Sequence, residues 1–404
     1  MISVEDALSR ILAALSPLGT EQIALASALG RVLAEDLAAR VTQPPSSVSA
    51  MDGYAVRASD VATVPARLRV IGAAPAGSAF GGTVGAGQAV RIFTGGPVPD
   101  GADTIVIQEN TTAEGDQVIV TEPSKAGRHI RVAGLDFREG QIGLERGRRL
   151  SARDVSLAAA MNRPWLRVHR RPRIAILSSG DEIVMPGEPR GPNQIVSSNG
   201  IGLAALVASC GGEPIDLGVA PDDMDALQSM VAGASAADML VTTGGASVGD
   251  HDLMQKALGA RGMTLDFWKI AMRPGKPLMF GKIGDTPVLG LPGNPVSTFV
   301  CATIFLRPAM AVLEGMREPV LPLDSARLGA DLAANDGRED YLRARLERGP
   351  EGELVATAMT QQDSSMLSFL AAAGCLIRRA PNAGPAKAGT PVHIVRFDTG
   401  AFRI

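Results

Sequence analysis

The chain has 404 residues, a formal net charge of −3 and 46% hydrophobic residues, with only 3% aromatic. That length exceeds one ordinary core and points to about two to four domains, built from Ala, Val, Leu and Ile. The slightly acidic balance gives no sign of the basic surplus of a nucleic-acid-binding surface, and Cys210, Cys301 and Cys375, far apart without a CxxC or a Cys/His pair, are expected to be the buried thiols of a reducing compartment.

The N-terminal MISVEDALSRILAAL places Val4, Leu8, Ile11, Leu12 and Leu15 on one helical face with Glu5, Asp6 and Arg10 between them. This is an amphipathic helix and not a signal peptide. A second helix is expected over 24–39, ended by the proline-bearing VTQPPSSVSAMDGYA. From 41 to 145 short Val/Ile runs, such as 89–93 and 104–108, alternate with Gly, Pro and Asp clusters, the texture of an all-β insertion. Helical periodicity returns at 151–162, so one elongated helical module is expected from 1–40 and 146–172, on both flanks of the insertion.

Residues 173–318 alternate strand and helix: 174–177, 200–209, 215–219, 223–237, 239–242 and 252–258. That order indicates a parallel α/β sheet. The longest apolar run, 299–306, stops at Arg307-Pro308 and is far short of a membrane span. Beyond 319 the strands 341–346, 354–359, 376–378 and 393–397 surround the turns GPEG and AKAGTP, which predicts a small β barrel or sandwich over 319–404. The fold class expected is multidomain α/β plus β.

Ligands of an open α/β sheet bind beyond the carboxyl ends of its strands. The most informative segment is VTTGGASVGDHD at 241–252, where a buried strand meets Gly244 and Gly245 and then Asp250 and Asp252 at the start of a helix. Free N–H groups at such a start attract phosphate-like oxygens, and adjacent carboxylates hold Mg²⁺ against them. Two neighbouring strands also end in acids, SSGDE at 178–182 and Asp222-Asp223. The next loops bring Lys269, Arg273 and Lys276 of WKIAMRPGKP, and then LPGNPVS at 291–297, where Asn294 can cap a helix beginning at Pro295 and leave N–H groups for an anion. Acids converging with bases suit a metal-bound phosphate or oxyanion. Taken singly, Asp222 or Asp223 can be an N-cap, a lysine can be a solvated charge, and Pro292 or Pro295 can punctuate a turn.

Gly245-Ala246-Ser247-Val248-Gly249 also fits the G-x-S-x-G elbow of a Ser247-dependent hydrolase. Its triad would need a downstream histidine. His251 is too near in sequence, His393 lies in the C-terminal β region, and Asp250 and Asp252 oppose an oxyanion.

Six ordered motifs, SAMDGYAVR (49–57), RIFTGGPVPDGAD (91–103), SSGDE (178–182), TTGGASVGDHD (242–252), FWKIAMRPGKP (267–277) and LPGNPVS (291–297), resemble the molybdopterin molybdenumtransferase family, which includes the E domain of gephyrin. The resemblance runs end to end. It implies the same four domains and a homodimer whose site lies between the α/β domain of one subunit and the β insertion of the other, so that Asp52 and Thr94 complete it in trans.

The implied reaction takes adenylated molybdopterin and molybdate to molybdenum cofactor and AMP with Mg²⁺ as cofactor. Asp52, Thr94, Glu182, Asp222 and Asp252 are implied as catalytic, with Glu182, Asp222 and Asp252 as metal ligands. Gly244, Gly245, Ser247, Lys269, Arg273, Lys276, Pro292, Asn294, Pro295, Arg343 and Ser365 are implied in substrate binding. Arg273 departs from the lysine of relatives, and its planar fork alters oxyanion geometry. The family further implies a cytoplasmic protein that contacts molybdopterin adenylyltransferase and molybdoenzymes, with no nucleic acid or membrane partner. The alternatives are the adenylyltransferase activity itself and a scaffold role like that of gephyrin.

Overall fold

The computed structural model describes residues 1–244, 253–320 and 323–397. The N-terminal helix α1 (Val4–Ala13) forms as expected, with the Ser3 hydroxyl accepting from the Asp6 amide at its start. Its buried face, Val4, Ala7 and Ile11, shares a core with Ile270, Phe305 and Leu313, which lie in the α/β unit.

The second expected helix does not form. Residues 20–24 are instead the strand β1 (Thr20–Ala24), followed by a single 3₁₀ turn and extended segments. Gly30 takes φ +75, a left-handed value that ends a helix. Beyond it Val32 and Leu33 bridge to Arg149 and Val168. Helical periodicity in 24–39 thus loses to tertiary pairing, because Leu33 and Leu37 bury against Leu144, Leu150, Met161 and Leu166.

The insertion is a sheet of six strands. These are β2 (Gly53–Val56), β3 (Ala66–Ala74), β4 (Gln88–Ile92), β5 (Thr104–Ile107), β6 (Thr111–Glu114) and β7 (Gln117–Val120), ordered β5-β2-β4-β3-β7-β6. Helix α2 (Ala152–Ala160) follows, opened by a reciprocal capping box between Ser151 and Asp154. Strand β8 (Trp165–His169) then pairs antiparallel with β1.

A second sheet of six strands holds β9 (Arg173–Ser179), β10 (Glu213–Ala220), β11 (Met239–Thr243), β12 (Met263–Trp268), β13 (Met279–Ile283) and β14 (Thr286–Leu291), ordered β10-β9-β11-β14-β13-β12. The four strands β10, β9, β11 and β14 are mutually parallel, and β13 is antiparallel to both neighbours. Side chains alternate between two cores: Ile174, Ile176, Met239 and Val241 face one, Ala175, Leu177 and Leu240 the other. Burial on both faces is why these strands read as unbroken apolar runs. Helix α3 (Asn199–Ser209) contributes Leu203 and Val207 to the first core, while α4 (Met224–Ala232) and α5 (Leu253–Ala260) contribute Leu227, Val231, Met254 and Leu258 to the second.

After β14 the chain forms α6 (Pro295–Cys301), a π-helical turn over Ala302–Leu306, and α7 (Arg307–Leu313). Together they make a helix of 19 residues, long and apolar enough to cross a membrane by length and composition, longer than the 299–306 run suggests. It is 83% buried inside the protein, as a core helix is. The C-terminal strands β15 (Asp324–Leu328), β16 (Glu339–Arg348), β17 (Leu354–Ala358), β18 (Cys375–Arg379) and β19 (Pro391–Arg396) close into a barrel in the order β16-β17-β15-β19-β18 and back to β16. A short helix, α8 (Leu367–Ala371), interrupts them.

An ion pair clasps the first module to the end of α7. Glu314 is buried, Arg149 donates through both terminal nitrogens to its carboxylate, and one of these also donates to the Gly30 carbonyl at 2.9 Å. Burial pushes the Glu314 carboxyl above its usual 4.5, with Arg149, Arg171 and Arg31 opposing the rise. A folded-state value above the unfolded one gives stability that is full below about pH 4.5 and is lost as pH rises through the folded value. Arg149→Ala, which leaves that carboxyl buried without its main partner, is expected to cost about 3 kcal/mol near neutral pH. The loss should shrink toward pH 4.5, which urea melts at both pH values would check.

Candidate functional site

Hydrogen-bonded register puts the ends of five strands in one row: Leu177 pairs with Thr242, Thr242 with Gly290, Gly290 with Met279, and Met279 with Trp268. On the outer side, Ser179 of β9 pairs with Ala220 of β10. Every loop singled out in the α/β unit leaves from this edge. At about 4.8 Å between strands, the row from β9 to β12 spans about 19 Å, so the edge is a trough and not a point.

Acids occupy one end. The Asp222 amide donates to Asp181 Oδ1 at 2.9 Å, which ties the loop after β10 to the loop after β9. Loss of water, followed by the negative charges of Asp181 and Glu182, holds the Asp222 carboxyl above the ordinary carboxylate value. Glu182 folds back over Gly180, where an added Cβ would lie 2.6 Å from Glu182 Oε2. Asp222 and Glu182 offer the carboxylate oxygens that Mg²⁺ takes as ligands. Among the described residues no group of three or more His, Cys, Asp or Glu is close enough to hold a metal. Asp252, the third expected ligand, lies outside the described residues, as do Gly245, Ser247, Asp250 and His251. Asp223 is the N-cap of α4, its Oδ1 accepting from the Ala226 amide at 2.9 Å.

The middle of the trough is glycine and proline. Gly244 takes φ +89, and an added Cβ would stand 2.5 Å from the Ser179 carbonyl oxygen. Gly293 lies against it, 3.4 Å from its own ideal Cβ to Gly244 Cα. The sequence did not flag Asn199, the first residue of α3, yet its Nδ2 donates to Thr243 Oγ1 at 3.0 Å and to the Gly293 carbonyl at 2.7 Å. It locks the end of β11 to the loop after β14. The Pro292 carbonyl accepts from Thr298 Oγ1 at 2.6 Å and from Thr243 Oγ1 at 3.1 Å. An asparagine at a helix start was the available signal, and it was indistinguishable from an ordinary cap.

Pro295 opens α6 as expected, but the Asn294 side chain does not cap it. Asn294 Nδ2 donates to Ser364 Oγ at 2.9 Å, and the Val296 amide donates to the Ser364 carbonyl at 3.1 Å. One of the N–H groups expected to be left for an anion is therefore taken by the barrel. The loop bearing Ser364 is held by Arg343, a fully buried side chain that donates to the carbonyls of Gln361 and Met366 and to Gln362 Oε1. The structure thus commits Arg343 to this loop in place of the expected oxyanion contact. Ser365 is exposed, and its hydroxyl and amide both donate to Asp363 Oδ1, at 2.6 and 2.8 Å.

Cations occupy the other end. Lys269 and Lys276 flank the β12–β13 connection; Lys269 Nζ stands 3.9 Å from the centre of the Trp268 ring, and Lys276 is exposed. Arg273, expected among the substrate ligands, is paired at 2.6 Å with Asp336 and at 3.4 Å with Asp340. Its strand Met272–Arg273 runs parallel to Glu339 and Asp340 of β16, so it joins the α/β unit to the barrel.

Asp52 and Thr94 form a pair on the insertion sheet. Asp52 Oδ1 accepts from the Thr94 amide at 2.7 Å and from its hydroxyl at 2.8 Å, and these bonds, with Arg91 nearby, hold the carboxyl below its ordinary value. Arg91 in turn lies over the Tyr54 and Phe93 rings at 5.1 and 4.9 Å. His393, the distant histidine of the hydrolase alternative, is exposed on β19, paired with Ser325 and Arg378.

Three family models match the chain: the MoeA N-terminal region (domains I and II) over residues 2–162, a probable molybdopterin-binding domain over 175–312, and the MoeA C-terminal region (domain IV) over 325–397. The chain is 34% identical to the molybdopterin molybdenumtransferase of Haemophilus influenzae, covering 98% of this chain and 99% of that protein. It is 39% identical to the Nostoc sp. protein of the same name over 80% of this chain and 76% of that one. A solved structure of the molybdopterin biosynthesis moeA protein from Pyrococcus horikoshii superposes with a TM-score of 0.86 at 29% identity, over 98% of this chain and all of that one (100%).

Gly244→Ala is expected to cost about 2 kcal/mol, since a left-handed φ and the Ser179 carbonyl both oppose a side chain. Gly293→Ala, which meets only an ordinary contact, should stay within about 0.5 kcal/mol. Denaturant midpoints of the two variants would show it, and equal midpoints would contradict the tight apposition of these loops.

Proposed function

The chain belongs to the molybdopterin molybdenumtransferase family, and on that premise we propose that it transfers molybdenum from molybdate into adenylated molybdopterin, releasing AMP. The observation that carries the proposal is the separation of charge along one sheet edge, acids after β9 and β10 and lysines beside β12 and β13. An extended substrate with an anhydride at one end and a reacting anion at the other matches that layout.

In this proposal Asp222 and Glu182, with Asp252, hold Mg²⁺, which when bound neutralises anhydride oxygens. Lys269 and Lys276 hold the molybdate oxygens. Gly244 and Gly293 let backbone approach the pterin part, and the Asn199 lock keeps their loops in place. Water adds to the phosphorus of the pterin phosphate as its bond to the AMP oxygen breaks, and the two dithiolene sulfurs bind molybdenum as one molybdate oxygen leaves as water with the two thiol protons, so no protein nucleophile is needed. Positioning and charge neutralisation carry the rate. Asp52 and Thr94 enter the site from a second copy of the chain in a homodimer, and their mutual hydrogen bonds fix Asp52 as an anion. We also propose cytoplasmic location and transient contact with the adenylyltransferase that supplies the substrate and with the apoenzymes that take the product.

Purified protein supplied with adenylated molybdopterin, Mg²⁺ and molybdate is expected to release AMP only when molybdate is present. ATP consumption without molybdate would instead assign the adenylyltransferase reaction. Asp222→Asn should lower kcat about 100-fold. Arg273→Met, whose charge is already engaged by Asp336 and Asp340, should change kcat by no more than about twofold.

A further inference from the structure

Among the described residues, Lys269 is one of four non-glycine positions with a left-handed backbone, at φ +73. A lysine has no local reason for that conformation, which costs about 1–2 kcal/mol. The cost has a visible return. Successive side chains of a strand point to opposite faces, so an extended Lys269 could not lie on the ring of its immediate neighbour. Phe267 faces the core shared with α1 and α6, while Trp268 packs against the opposite core, beneath α4 and α5. The left-handed turn breaks this alternation and swings the Lys269 ammonium onto the Trp268 ring, 3.9 Å from its centre.

The turn is held from both sides. The Lys269 amide donates to the Leu278 carbonyl at 3.0 Å and the Ile270 amide to the Lys276 carbonyl at 3.1 Å. Trp268 is itself fixed by pairing with Met279. No carboxylate among the described residues forms a salt bridge with Lys269, so the ring is its one described side-chain partner. A flexible four-carbon stem is thereby given one position by an uncharged partner.

We propose that Trp268 is a positioning residue: its indole face is a platform that holds the Lys269 ammonium, charge intact, toward the trough, where the cation meets an incoming tetrahedral oxyanion. An aromatic face suits this task better than a carboxylate, which would cancel the field the oxyanion needs. This rests on the assignment of Lys269 to molybdate under Proposed function.

The chain has two tryptophans, Trp165 and Trp268, so the Trp165→Phe protein reports from the platform alone. Its emission is expected to change saturably on titration with molybdate, and the change should vanish when Lys269→Met is added. Trp268→Leu should weaken molybdate binding about threefold to fivefold and raise the KM for molybdate by the same factor with kcat nearly unchanged, whereas Trp268→Phe, which keeps a ring face, should lose no more than about twofold. Thermal melts would confirm that both variants fold. Molybdate binding seen by calorimetry with no change in emission, equal or tighter binding by Trp268→Leu, or no molybdate binding at all would each overturn the platform. AMP release by a protein whose Trp268→Leu variant is unaffected would remove the platform and leave the transferase function standing. Responsive emission without AMP release would remove that function and leave the platform.

Discussion

The register of the α/β sheet is the constraint on which the site depends. Because Leu177, Thr242, Gly290, Met279 and Trp268 are successive hydrogen-bonded partners, the loops that follow or precede them emerge at one height along one edge. A slip of one residue in any strand would turn its inward side chains to the other face and lift its loop away from the row. The two cores that grip β9 and β11 from opposite sides make such a slip costly, since Ile174, Leu177, Met239 and Leu240 are all buried. The chemistry proposed for the edge is therefore underwritten by apolar packing well behind it.

The remaining parts of the chain act on that edge mainly by holding loops. The barrel reaches across through Ser364 to α6 and through Asp336 and Asp340 to Arg273. Arg343 works behind the first of these contacts, spending its donors on loop carbonyls. At the opposite pole, Arg149 and Glu314 clasp the first module to α7. Arg343 and Arg273 thus engage the protein itself, and among the described residues the acids after β9 and β10 and the lysines near β12 are the groups proposed for the ligand.

Much of this was legible beforehand, for stated physical reasons. Strands buried on both faces announce themselves as apolar runs, so β9 and β11 were evident, and Gly244 and Pro295 marked turns that few other residues accept. Residues 24–39 failed because local helical periodicity says nothing about the strands at 142–168 that compete for the same leucines. The partners of Arg273 and Arg343 were not legible because charge in a sequence carries no record of its partner, and Asp336 and Gln362 stand far from them along the chain. Asn199 and Trp268 were missed for the converse reason. A cap-type asparagine and a strand-end tryptophan look ordinary until the coordinates show what each one touches.

The most direct test of the central claim, that opposite charges are segregated along one sheet edge to hold the two ends of a single substrate, is a crystal structure with adenylated molybdopterin, Mg²⁺ and tungstate. Anomalous scattering from tungsten should place the heavy atom at the β12 end, within reach of Lys269 and Lys276, with the adenylate phosphates and the divalent ion beside Asp222 and Glu182. Tungsten found at the acid end, or on a face of the molecule away from this edge, would contradict the account.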